Sequence, residues 1–413
     1  MKAIARKLPL AAAAAATLAG AACVAWLFTR EGTVGLYQWT IWRGRLNAIM
    51  AAFAAPAALA LAWLLARSRS RRAPGGAGAA PGRLERALGA ATAALGLLVL
   101  AGAAALWIGL ASIARQMSGP PPKLNLVDPV SGIAPDPRRG GSVLLSFSSD
   151  PHWGVDTANP GARLAVLRSV ADLRPDAFFP LGDQVEQGMY EGPWREAAEA
   201  YASVLGGLPI RPLMGNHDSV IDGQAHFERF FFPDRSRSGT GSPLYYSIDA
   251  GPVRLFVVNL LWREESFGRA QRAWLDSSLA ALPPGVEAVV LSHCFAYSSG
   301  YVDEETGLWW RDDPGVIAAL SPILERNKVA LHISGHNHYL ELLEKNGVTY
   351  AVVGGMGGKP DPEPAYASPA SVWRAPAGTF GRLDLLASAE GLRLAFVDRD
   401  GKLLREAAIP KRR

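Results

Sequence analysis

Five short apolar runs in the C-terminal two thirds of this chain each stop at histidine, aspartate or asparagine. "SVLLSFSSDPH" ends at Asp150 and His152, "DAFFPLGD" at Asp183, and "PIRPLMGNHD" at Asn216, His217 and Asp218. "EAVVLSH" ends at His293, and "VALHISGHNH" at His336 and His338. Short runs rich in Val, Leu and Phe, bounded by turn residues, read as buried strands. Helical spacing of apolar residues separates the early runs, in "GARLAVLRSVADL" and "PWREAAEAYASVLGGL". The later runs, from "LYYSID" and "VRLFVVNL" to "VTYAVVGG", "FGRLDLLA" and "LRLAFVD", follow one another as hairpin strands would. The pattern predicts a mixed α/β fold in which two sheets pack together and helices cover their outer faces. In such sheets the carboxyl ends of the strands are where sites form.

Five of the seven histidines lie at these strand ends; only His226 and His332 do not. His226, within "AHFERFFF", reads as helix packing, and His332 as a core residue. Cys294 follows His293 on an alternating strand and therefore points the other way, into packing. Imidazoles, carboxylates and an amide without thiolates suit Mn, Fe or Zn. Seven residues supply eight metal bonds if one carboxylate bridges two ions. Two-metal sites of this kind hold their ions about 3.5–4 Å apart, activate water and clamp phosphate oxygens.

The ordered set Asp150-x-His152, Gly182-Asp183-x-x-Glu186, Gly215-Asn216-His217-Asp218, His293 and Gly335-His336-x-His338 resembles the calcineurin-like metallophosphoesterases. The likeness runs over about residues 141–398. "SDPHWG" keeps an Asp-x-His that purple acid phosphatases lack, whereas "SGHNHYLELLEKNGVTYAVVGGMGG" is similar to purple-acid-phosphatase-like enzymes more than to cyclic-nucleotide phosphodiesterases. Glu186 stands where the family has Asp. The resemblance implies an α/β/β/α two-sheet sandwich and two divalent or trivalent ions. Asp150, His152, Asp183 and His338 would hold the first ion. Asp183 would bridge to the second, completed by Asn216, His293 and His336. The implied reaction is hydrolysis of phosphomonoesters or phosphodiesters by a bridging metal-bound hydroxide. His217 would protonate the leaving oxygen or stabilise charge on the phosphate, and Asp218 would orient its imidazole. The alternative is a non-catalytic membrane scaffold or sensor that retains the fold; loss of a ligand would mark it, and none is lost.

Residues 1–115 differ in kind. They hold 13 Lys and Arg against Glu31 and Glu85, while residues 116–413 hold 29 basic and 35 acidic residues. The net charge of +5 therefore belongs to the N-terminal region. A nucleic-acid interface would need a basic stripe on the folded domain, and none is expected. Residues 8–29, 46–66 and 88–111 are apolar and uncharged, each about the 20 residues needed to cross a bilayer, with Tyr37, Trp39 and Trp42 placed as interface anchors. They predict a three-helix transmembrane region. Arg67, Arg69, Arg71, Arg72, Arg83 and Arg86 put the second connection in the cytoplasm, and so the catalytic domain on the extracytoplasmic side of the membrane. The first stretch also has the form of a signal peptide, whose removal would leave that orientation unchanged. Residues 116–140, rich in Pro and Gly, read as a linker, and 141–413 as the phosphoesterase domain. The long aromatic segments 294–315 and 359–378 are expected either to cover the site or to meet the membrane.

Overall fold

The computed structural model describes residues 11–20, 22, 54–68, 82–114, 119–220, 223–303 and 307–411. The chain divides into two compact units, Met1–Arg115 and Gln116–Arg413. The first contains helical residues 11–20 and 54–68 and the helix Arg83–Ala114.

Among the described residues no helix is long and apolar enough to cross a membrane, so the predicted three-helix transmembrane region is not found there. The helix Arg83–Ala114 contains the stretch 88–111. The rest of stretches 8–29 and 46–66 lies outside the described residues.

In the second unit the strands are β1 (Val143–Ser148), β2 (Ala177–Pro180), β3 (Tyr246–Ala250), β4 (Val253–Val257), β5 (Glu287–Leu291), β6 (Tyr301–Val302) and β7 (Trp309–Trp310). They continue with β8 (Leu331–Ser334), β9 (Leu340–Lys345), β10 (Val348–Val353), β11 (Ser371–Arg374), β12 (Gly381–Ser388), β13 (Gly391–Asp398) and β14 (Leu403–Pro410). Its helices, numbered from the start of this unit, are α1 (Pro160–Leu173), α2 (Glu191–Leu205), α3 (Gly223–Phe231), α4 (Arg269–Ala280) and α5 (Pro314–Arg326). One sheet has the order β14-β13-β12-β1-β2 and the other β11-β9-β10-β8-β5-β4-β3; β6 and β7 form a separate hairpin. In the second sheet β4, β5, β8 and β10 run parallel and the flanking strands antiparallel.

Strand alternation builds the layers. Val289 and Leu291 of β5 join Leu145 and Phe147 of β1 in the main core, whereas Ala288 and Val290 face Leu275 of α4 and Leu320 of α5. Helices α1 and α2 add Val166, Val170, Trp194 and Tyr201 to the main core. The predicted two-sheet sandwich with helical outer layers is what forms.

Two expectations need correction. Residues 119–140 are not a free linker: Val127 and Ile133 are buried in the main core. The Val127 N–H donates to Ile210 O at 2.9 Å, and the Asp176 carboxylate accepts from Arg139 Nη1 at 2.6 Å. The extended "PIRPLM" makes only bridges at Ile210, because Pro209 and Pro212 have no N–H to extend a ladder. Its open edge is what residues 125–127 occupy. Strands β6, β7, β9, β11 and β14 are not among the runs read from the sequence.

Candidate metal centre

Asp150 and His152 follow β1, Asp183 follows β2, His293 follows β5, and His336 and His338 follow β8. Asn216 and His217 sit on the turn after the bridge at Ile210. Asp150, Asp183, Asn216, His293 and His336 are buried, as is His152; His338 and His217 keep 15% and 23% of their side chains exposed.

Three groups of donors converge among the described residues. Asp150, His152 and His338 form one and Asp183, His293 and His336 a second, with His152, Glu186 and His217 as a third, each with its donor atoms within 4.8 Å of one another. His338 Nε2 lies 3.5 Å and His152 Nε2 3.8 Å from Asp150 Oδ1. His293 Nε2 is 3.3 Å from Asp183 Oδ2, 2.9 Å from Asn216 Oδ1 and 3.2 Å from His336 Nδ1. Asp183 Oδ2 also lies 3.7 Å from His152 Nε2, so this carboxylate touches the first two groups. Two donors bound to one ion at about 2.1 Å stand roughly 3–4 Å apart, which these spacings match. The buried Asp150 Oδ1, His152 Nε2 and Asn216 Nδ2 have no hydrogen-bond partner. Leaving such groups unpaired is costly, and a cation between the carboxylate and the imidazole would satisfy both. The donor set therefore fits metal ions, and its N and O chemistry suits Mn, Fe or Zn.

The outer contacts orient the rings. His152 Nδ1 lies 2.7 Å from Glu186 Oε2, His293 Nδ1 3.0 Å from Leu181 O, and His338 Nδ1 2.5 Å from Lys359 O. Each acceptor holds the proton on Nδ1 and leaves Nε2 free toward the centre. Burial opposes charge on His293, but Asp183 and Asp150 outweigh it and lift its pKa to about 9. His152 is likewise held well above the ordinary imidazole value, burial being outweighed by Asp150 and Glu186. Burial and the neighbouring His293 hold His336 well below it. Asp183 resists burial through His293 and His217, which keep its carboxyl below the usual range.

The backbone supporting these ligands is strained. Asp150, His152, Asp183 and His336 have φ of 63°, 46°, 49° and 71°, a left-handed region that costs a non-glycine residue about 1–3 kcal/mol. A Cβ on Gly358 would sit 2.7 Å from His338 Cε1 and 2.8 Å from His152 Cδ2, so that loop must carry glycine.

Two residues behave differently from expectation. Asp218 does not meet the His217 imidazole: its oxygens accept from Val185 N at 2.9 Å and Gly215 N at 2.8 Å. Burial and nearby Asp183 push its pKa up to about 7. His217 instead has Nδ1 2.9 Å from the Glu186 carbonyl oxygen and 3.6 Å from its carboxylate. Glu186 thus serves both His152 and His217. His332 and His226 are buried outside the cluster, and Cys294 lies in the outer core, as read from the sequence.

Arg163 of α1 was missed, because an arginine in a helical stretch carries no signal of its target. Its Nη1 donates to Pro151 O at 2.6 Å and His152 O at 3.0 Å, and its guanidinium stacks 3.7 Å from the Trp153 ring. It therefore clamps the left-handed turn between Asp150 and His152. Arg163→Ala would strand two buried carbonyls and is expected to cost about 2–4 kcal/mol. Denaturant unfolding and metal content of the variant check this; wild-type values for both would show the clamp to be dispensable.

Residues 147–340 match the profile of the calcineurin-like phosphoesterase family. No curated protein matches the chain. Among solved structures, a purple acid phosphatase from yellow lupin (Lupinus luteus) is 20% identical with a TM-score of 0.55, over 65% of this chain and 54% of the lupin chain. The chain thus spans about half of that enzyme's length. The Plasmodium protein GAP50, described as the anchor in the inner membrane complex, is 16% identical with a TM-score of 0.51, over 66% of this chain and 90% of its own. At these identities the likeness concerns the fold. The profile match spans a little under half of the chain, and the neighbours share its two-sheet fold.

Proposed function

We propose that the C-terminal unit is a phosphate-ester hydrolase that works with two metal ions at the strand ends. The observation that carries this is the facing pair of buried, unpartnered atoms, Asp150 Oδ1 and His152 Nε2, inside a complete N and O donor set. Asp150, His152, Asp183 and His338 would hold one ion, and Asp183, Asn216, His293 and His336 the other. When bound, the ions would neutralise phosphate charge and lower the pKa of a water nucleophile.

The chain's own residues do the rest. His217 lines the cavity with Nδ1 bonded to the Glu186 carbonyl, so Nε2 is the atom that hands a proton to the leaving oxygen. The Glu186 carboxylate, 3.6 Å from Nδ1, offers a counter-charge while that ring carries two protons. Trp262, Phe295 and Trp310 pack around His336 and exclude water from that side.

The test uses the full-length protein stripped by chelation and resupplied with Mn, Fe or Zn, assayed on p-nitrophenyl phosphate and bis-p-nitrophenyl phosphate. Metal-restored turnover is expected, and the faster substrate assigns the ester class. Failure to bind any metal would overturn the reading and favour the scaffold alternative, toward which the GAP50 likeness leans.

Attachment to a bilayer through residues 1–115, with the catalytic unit outside, is proposed on sequence alone. The arginine-rich connection and the uncharged stretches 8–29, 46–66 and 88–111 support it. Recovery of the full-length protein in the carbonate-washed supernatant would rule it out.

A further inference from the structure

Beside the ligands lies a half-open cavity of about 220 Å³, the size of a small ester. Its lining includes Glu186 and His217 together with Tyr301, Trp310, Lys359 and Asp361. Apart from these two aromatic rings, Val155 and Thr157, every lining residue is titratable. A leaving group held here therefore meets its apolar surface mainly on Tyr301 and Trp310.

The placement of these rings follows from the hairpin. Tyr301 of β6 and Trp310 of β7 are direct cross-strand partners, so they project from one face. The neighbouring pair, Val302 and Trp309, projects from the other face and is 53% and 41% exposed. One face thus looks into the cavity and the other into solvent.

The wall is fixed in place. Tyr301 Oη donates to Asp361 Oδ1 at 2.8 Å, and Asp361 Oδ2 accepts from the His338 N–H at 2.8 Å. Gly300 and Tyr366 exchange two backbone hydrogen bonds of 2.9 Å, joining segments 294–315 and 359–378. The Trp310 ring packs 5.1 Å from His336 and 5.0 Å from Trp262, and its carbonyl accepts from Asn337 Nδ2 at 3.2 Å. Rings held this way are preorganised to stack, with little ordering cost left for binding.

We propose that Tyr301 and Trp310 form the leaving-group subsite and select phosphate esters whose alcohol carries a planar aromatic ring. This rests on the phosphoesterase reading above. The rings would stack on the leaving group while His217, which lines the same cavity, protonates its oxygen.

The test compares benzyl phosphate with cyclohexylmethyl phosphate on the metal-loaded full-length protein. Their leaving alcohols are of similar acidity and bulk and differ in ring planarity. The benzyl ester is expected to be favoured about ten-fold in kcat/KM, the size of an aromatic stacking gain. That ratio should collapse toward one in Trp310→Leu and Tyr301→Leu and persist in Trp310→Phe. Equal kcat/KM for the two esters, or a wild-type ratio in both Leu variants, would overturn the subsite and leave the phosphoesterase reading standing. The same pair as phosphonates, titrated calorimetrically, separates the two ideas. Tighter Trp310-dependent binding of benzylphosphonate without turnover of any ester would keep the subsite and sink the hydrolase. No preference in binding and no turnover would remove both.

Discussion

Asp183→Asn is expected to weaken metal binding about 10²–10³-fold, which corresponds to the 3–5 kcal/mol typical of removing one partner from a buried charged set. Asp183 lies within reach of both donor groups. Its Oδ2 lies 3.3 Å from His293 Nε2 and 3.7 Å from His152 Nε2, and its Oδ1 accepts from the His217 N–H at 2.8 Å. Asparagine keeps the shape and one acceptor, so the fold should persist while the shared negative charge is lost. Its amide would also direct N–H groups at imidazole nitrogens or at a cation. Metal content after dialysis and turnover at saturating metal are the two readouts. Metal content equal to wild type would show that the two donor groups do not share Asp183.

His217→Asn is expected to lower kcat by about 10²–10⁴-fold with metal content intact, the usual range for a lost general acid. Its Nε2 lies 4.0 Å from Asp183 Oδ2, and its ring is held from the Nδ1 side by Glu186. The loss should be largest for esters with poorly acidic alcohols and should shrink for p-nitrophenyl esters, whose leaving group needs no proton. A uniform loss across leaving groups would assign His217 to phosphate binding instead. Asp218→Asn is the informative control. Asp218 bonds the N–H groups of Val185 and Gly215, so its replacement should lower stability without altering this leaving-group dependence.

That contrast marks where sequence reading reached and where it stopped. Asn216, His217 and Asp218 are adjacent, and the family resemblance implied that the carboxylate orients the imidazole. On a turn, however, consecutive side chains diverge. Asp218 is directed back under the loop toward Val185, and Glu186, from the loop after β2, takes the place beside His217. The helical Arg163 and the carbonyls of Leu181 and Lys359 were equally hidden, because backbone acceptors leave no trace in residue identity.

The strands divide in the same way. β1, β5, β8 and β10 are apolar runs buried on both faces, and such runs are legible without context. β14 is an edge strand exposed along most of its length, with no periodic apolar pattern to read. β9 hides behind Glu341, a buried carboxylate that accepts from Ser299 N at 2.9 Å and so is tolerated inside the fold. Residues 119–140 read as a linker by composition, yet dock because the proline-interrupted run at Ile210 leaves a backbone edge open.

The sequence by itself determined the layered α/β class and the imidazole, carboxylate and amide residues at the strand ends, since strand runs and the polar residues that end them are local properties of the chain. Only the tertiary structure decided which carboxylate serves which imidazole, which backbone oxygens fix the tautomers, and that Tyr301 and Trp310 wall the cavity. Those outcomes depend on contacts between segments distant along the chain, such as Tyr301 with Asp361, whose geometry is set when the sheets pack.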